Sequence, residues 1–299
     1  MITRIGSFAH STALIAASLR TQAKLADQQT QEATGLKSTS FGGLGADAAS
    51  LLRLSSQSSR LTADNTAAGV AASYVQSAYS AVGDIADLAS TIKTQLAAQI
   101  SGSNLDASSL ATYAQGWLED LQTQLNSQVG GVYLFGGEAV DTAPVDFSDA
   151  DYDPTAAGNT GYYQGAAAGR TFTSVDETKI ALSATAQSPG FEELARALKS
   201  IIANPSDTAT LSSAFDLVGE AVTDIGTSQA ALGVQADQLS SLISRNEAKI
   251  GTLDDLASQL KDADLAQAAV LVTNYQTQLE ALYSTISSLS SVSLLQYLR

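Results

Sequence analysis

From Val218 to Leu260 apolar or small residues recur at intervals of four and three without a slip, through Val222, Ile225, Gln229, Leu232, Ala236, Leu239, Ile243, Asn246, Ile250, Leu253 and Ala257. Residues spaced this way form a single stripe on an α-helix, the seam of a coiled coil, and no strand period accommodates them. A helix over 207–260 would be about 80 Å long at 1.5 Å per residue, which predicts an elongated molecule. Gln229 and Asn246 sit in the stripe. There a buried amide would penalise shifted registers, or the two side chains lie at the seam's edge and reach water.

The carboxyl end repeats the pattern. Leu265, Ala268, Val272, Tyr275, Leu279, Leu282, Ile286 and Leu289 are spaced 3, 4, 3, 4, 3, 4 and 3. Near the amino end Ile5, Phe8, Ile15, Leu19, Ala26 and Ala33, flanked by Leu14 and Leu25, predict a helix over 7–34 with Gly35 as its C-cap. After a glycine- and serine-rich connector over 35–45, a second long helix is expected over 46–100, carrying Leu51, Leu54, Leu61, Ala78, Val82, Ile85, Leu88, Ile92 and Leu96. A third, over 106–128, places Leu110, Ala114, Trp117, Leu118, Leu121 and Leu125 on one stripe.

Between Gly130 and Pro189 the helical period vanishes. Glycine, aspartate, threonine and tyrosine rise, and short alternating runs at 131–135, 170–175 and 179–184 predict a small β-rich module. A short helix over 191–203 leads through Asn204-Pro205 into the long return helix. The expected fold is therefore mainly α: an elongated bundle of long coiled-coil helices from both chain ends, with a small β-rich module inserted mid-chain. The expected domains are a terminal assembly domain (1–45 and 262–299), a central helical rod (46–129 and 190–261) and an outer module (130–189).

The composition excludes much chemistry. With 15 Lys and Arg against 30 Asp and Glu, the net charge of −15 argues against a nucleic-acid partner, which needs basic contacts to phosphate. There is no cysteine to form a disulfide, a thiolate metal site or a nucleophile, and His10, the sole histidine, is expected on a helix surface. No nucleophile elbow, phosphate loop or dinucleotide fingerprint occurs, so neither an enzyme nor a cofactor is expected. No apolar run reaches the roughly 18 residues of a membrane span, and residues 1–11 lack the apolar core of a secretory signal.

Asp146, Asp149, Asp151 and Asp153 form the one carboxylate array that invites a metal. Counted from Asp149, however, the sixth and twelfth positions of a calcium loop are Pro154 and Thr160 rather than glycine and glutamate, which favours a hydrated acidic loop and no metal. Tyr152, Tyr162 and Tyr163 read as strand residues, with a carbohydrate platform as the competing use.

Several segments, taken in order, resemble one family. They are Thr34-Gly35-Leu36-Lys37 at the end of the first helix, Gly131 to Gly137 (GVYLFGG), Tyr163-Gln164-Gly165 with Arg170, Asp262-Ala263-Asp264-Leu265 opening the last helix, and Ser293 to Leu298 (SLLQYL). Together they resemble the bacterial flagellin superfamily, most closely its hook-associated protein 3 branch of hook–filament junction proteins. The resemblance implies a non-enzymatic structural subunit, exported by the flagellar type III apparatus without a cleaved signal peptide and located outside the cell in the flagellum. It further implies self-association in a ring or helical lattice, contacts to a hook-side hook-associated protein and to filament flagellin, and an export chaperone. A filament-forming flagellin is the alternative reading; a signalling coiled coil fits less well, because it would not carry a β-module between its helices. On this reading the subunit-packing residues are Ile5, Phe8, Leu14, Ile15, Leu19, Leu265, Val272, Leu279, Leu282, Ile286, Leu289, Leu294, Leu295 and Leu298.

Overall fold

The computed structural model describes residues 2–102, 106–182 and 184–297, with side chains described from residue 9 to residue 289. Six helices dominate: α1 (Ile2–Thr34), α2 (Asp47–Ser101), α3 (Ala107–Leu125), α4 (Pro189–Ala203), α5 (Thr208–Lys261) and α6 (Leu265–Tyr297). A 3-10 turn covers Phe41–Leu44, and four short strands, β1 (Gln128–Val129), β2 (Val132–Tyr133), β3 (Thr171–Thr173) and β4 (Lys179–Ala181), form two antiparallel pairs. The fold is mainly α, with long helices from both chain ends packed together and the few strands confined to mid-chain. The chain divides into two compact units, one of residues 1–59 and 249–299 and the other of residues 60–248.

In the second unit α2 and α5 run antiparallel. The stripe read from sequence is the buried one: Val218, Ile225, Leu232, Leu239 and Asn246 of α5 face inward, as do Val75, Val82, Ile85, Ile92 and Leu96 of α2. Asn246 follows the first of its two readings. It is 1% exposed, and its Nδ2 donates to the Asp64 carboxylate across 2.9 Å. The other Asp64 oxygen accepts the Val175 N–H at 3.0 Å, so this polar layer ties the β3–β4 turn to both helices. Gln229 is half-buried beside Gly83, where an added Cβ would lie 2.9 Å from its amide nitrogen.

The mid-chain segment has little strand, and its residue types explain why. Asp146, Asp149, Asp153 and Asn159 each accept an N–H from the residue two positions on, the Asx-turn geometry that competes with regular structure. The β1–β2 hairpin turns on Gly130 and Gly131, both with positive φ, as the tightest hairpin turn requires. The segment shares one continuous core with the helices of its unit: Phe135 meets Phe191 edge-on at 5.9 Å, and Phe147, Tyr152 and Tyr162 cluster beside them. The Tyr74 hydroxyl donates to Leu134 O at 2.7 Å, while the Arg170 guanidinium lies 4.4 Å over the Tyr74 ring. The Asn126 amide clamps Val145 through both its N–H and its C=O.

In the first unit α1 and α6 pack antiparallel, with the end of α1 beside the start of α6. Gly35, at φ +72, ends α1 and donates to Gln31 O, and Asp264 caps α6 by accepting the Gln267 N–H.

Candidate assembly surface

On α6 the face turned to α1 is the stripe read from sequence. Ala268 and Leu279 are buried, and Val272, Tyr275, Leu282, Ile286 and Leu289 are half-buried. Leu265, in the same list, is 50% exposed.

On α1 the structure departs from the stripe that the sequence marks. The residues turned to α6 are Ser11, Leu14, Ser18, Thr21, Leu25 and Gln28, a heptad row shifted by one position. Ser18 and Thr21 are buried, each hydroxyl bonded back to its own helix, to Ile15 O and Ala17 O. The more apolar row lies beside it and faces outward: Ile15 is 49% exposed, Leu19 60%, and Ala26 and Ala33 are exposed. Sequence periodicity could not separate the two rows, because both are heptad-spaced and serine and threonine can hide their hydroxyls within a helix.

The Gln22 amide donates to the Tyr283 hydroxyl, which places Tyr283, 47% exposed, on the same flank as Ile15 and Leu19. Tyr283 was not among the residues expected in packing. Ile5, Phe8, Leu294 and Leu295 lie outside the residues whose side chains are described, and Leu298 lies outside the described residues altogether. His10 is exposed on α1, as the sequence suggests.

The tyrosines that could have formed a carbohydrate platform are core residues. Tyr162 is fully buried with its hydroxyl on Ala186 O, and burial pushes the hydroxyls of Tyr152 and Tyr162 far up and that of Tyr163 to about 12. Asp146, Asp149 and Asp153 of the acidic loop are engaged in their own turns. The hydroxyl and N–H of Ser148 hold Asp146, and those of Thr155 hold Asp153, below the usual carboxylate range. No helix among the described residues is long and apolar enough to cross a membrane.

Charge divides sharply between the units. The first carries eight Lys and Arg against eight Asp and Glu; the second carries seven against 22, so the whole net charge of −15 falls on residues 60–248. The unit bearing the apolar flank is neutral.

The first unit is thus a neutral antiparallel pair of long helices with an apolar outer flank, the build of a helical structural subunit. Residues 7–139 match the bacterial flagellin N-terminal helical region and residues 215–298 match the bacterial flagellin C-terminal helical region, so the two matches together span most of the chain. The chain belongs to the bacterial flagellin superfamily and is a non-enzymatic structural subunit of the bacterial flagellum. Its flagellin-type terminal regions imply polymerisation there.

Among solved structures it is similar to a protein described as a flagellar hook-associated protein from Vibrio parahaemolyticus, with TM-score 0.61 and 14% identity over 72% of this chain and 97% of that one. It is also similar to Bacillus cereus FlgL, with TM-score 0.50 and 11% identity over 70% of this chain and 98% of that one. At these identities the likeness is one of fold. No curated protein sequence matches the chain.

Proposed function

We propose that this subunit is the adaptor at the junction between flagellar hook and filament, polymerising through its terminal helices into a short ring or helical layer. The observation that carries the self-association is the flank of Ile15, Leu19 and Tyr283, which α1 leaves open while it turns a more polar row toward α6. A helix that buries serine and threonine and exposes isoleucine and leucine gains by being covered a second time. Assignment to the junction branch is supported by the hook-associated protein among the similar solved structures. On this reading the chain is exported through the flagellar type III apparatus with the help of a chaperone, and it meets a hook-side hook-associated protein below and flagellin above.

Electron microscopy of cells lacking the gene tests the role. Hooks without filaments are expected, with flagellin released into the medium. Filaments persisting unchanged on the hooks would overturn the junction assignment. Unlimited fibres grown from the purified chain alone would favour a filament subunit instead.

A further inference from the structure

Two rows of α1 compete for the face turned to α6. The inward row, Ser11, Leu14, Ser18, Thr21, Leu25 and Gln28, has leucine at two positions; the row beside it carries Ile15, Leu19, Gln22 and Ala26, all exposed. At 3.6 residues per turn the rows lie about 100° apart, so a roll of α1 through that angle would exchange them. Apolar burial alone does not favour the arrangement observed, which hides Ser18 and Thr21 and leaves Ile15 49% and Leu19 60% exposed. Gly35, at φ +72, ends α1 and forms the pivot for such a roll. Beyond it the connector is fixed to the end of α5, where the Lys37 ammonium donates to Gln259 O at 2.7 Å and Leu260 O at 3.1 Å, and the Lys37 N–H to Lys261 O at 2.8 Å.

Two contacts stand on opposite sides of the inward row. On one side the Gln22 amide donates to the Tyr283 hydroxyl; on the other the Lys24 ammonium lies 6.0 Å from the centre of the Tyr275 ring, a cation–π contact. A roll that brought Ile15 and Leu19 over α6 would swing Lys24 outward, away from Tyr275, and turn the Gln22 amide inward, away from the half-exposed Tyr283, so both contacts oppose it. We infer that the Gln22–Tyr283 and Lys24–Tyr275 contacts set the rotation of α1 and keep its more apolar row outward, and that without them α1 rolls to bury Ile15 and Leu19 against α6, so that the chain's own helix closes the flank. Gln22 and Lys24 are then positioning residues, which decide between two nearly balanced packings of one helix. What the outward row is for rests on the proposed assembly role; the rotation itself does not.

The chain has no cysteine, so single cysteines report the rotation in the full chain. Ser18→Cys lies in the inward row and Ala26→Cys in the outward one. In subunits kept below the polymerising concentration, a maleimide should label Ala26→Cys about tenfold or more faster than Ser18→Cys. Adding Gln22→Ala with Lys24→Ala should reverse that order and raise the critical concentration about tenfold or more. Tyr283→Phe, which keeps the ring and removes the hydroxyl, should shift the ratio in the same direction by a smaller factor. Arg20→Ala with Gln29→Ala removes the same charge at exposed positions of α1 outside both contacts, and should leave the ratio within about twofold. An unchanged ratio in Gln22→Ala with Lys24→Ala, or rapid labelling of both cysteines, which means that the helices part rather than roll, would overturn the inference. A reversed ratio with an unchanged critical concentration would uphold the rotation and refute the flank of Ile15, Leu19 and Tyr283 as the assembly surface.

Discussion

Replacing Ile15 and Leu19 together by serine should separate assembly from folding. Fully burying such a side chain is worth about 1.5 to 3 kcal/mol, and with 49% and 60% of their surfaces still open in the subunit, roughly half of that remains to be gained by each on association. The double substitution should therefore remove about 2 to 3 kcal/mol per subunit from the lattice, raising the critical concentration by roughly 30- to 150-fold at about 1.4 kcal/mol per decade. The fold should lose little, because neither side chain belongs to the row facing α6. Sedimentation of polymer against total protein gives the critical concentration, and circular dichroism checks that helicity is kept. Leu279→Ala provides the contrast. At 7% exposure it lies within the α1–α6 seam, and its truncation should cost about 2 to 5 kcal/mol in the stability of the terminal pair itself. If the double serine variant polymerises at the original concentration, the exposed flank is not the assembly surface.

Three further expectations concern the second unit. Asp64→Ala strands the buried Asn246 amide and the Val175 N–H, and should destabilise the unit by about 2 to 4 kcal/mol in urea unfolding; a loss under about 0.5 kcal/mol would show that the polar layer is dispensable. Glu177, at φ +61 in the β3–β4 turn, should stabilise the chain by about 0.5 to 1 kcal/mol when replaced by glycine, read as a rise in melting temperature; a fall would show that its backbone is not strained. Burial, then the charges of Asp224, Glu220 and Glu192, raise the pKa of Glu193 above its ordinary value of 4.5. Its ionisation therefore opposes folding, and stability is lost as pH rises through that raised value. Glu193→Gln should be the more stable form at pH 7, with the advantage disappearing below about pH 4; equal stability at both pH values would refute this sign.

The long helices were legible because their constraint is repeated. Each heptad of α5 from Val218 to Asn246 restates which face is inside, and the structure buries that face. On α1 two adjacent rows share the heptad spacing, so spacing alone does not tell which faces α6: the helix turns Ser18 and Thr21 inward and leaves Ile15 and Leu19 outward. The irregular segment was legible in kind but not in path. Its Asp-x-Ser and Asp-x-Thr turns are local and readable, whereas the placing of Tyr162 on Ala186 O and of Arg170 over Tyr74 depends on long-range packing that no spacing encodes. Lys37 sits in a motif that the resemblance singles out, yet its chemistry emerges only when carbonyls more than 220 residues away are brought beside it.

The partition of charge bears on which surface of such a subunit is favoured in polymerisation. A net charge of −15 spread evenly would oppose every mode of self-association, including one through the terminal helices. Here the unit that carries the apolar flank balances eight basic against eight acidic residues, so copies meeting through it face no net repulsion from that unit. The excess of 15 acidic groups lies in the unit that holds its own continuous core, where Asx turns and hydration accommodate it. Self-repulsion therefore discourages random clustering through the second unit and leaves the neutral flank as the surface of least electrostatic cost. Specificity of association then comes from where charge is absent as much as from where apolar surface is present, and the two coincide on α1 and α6.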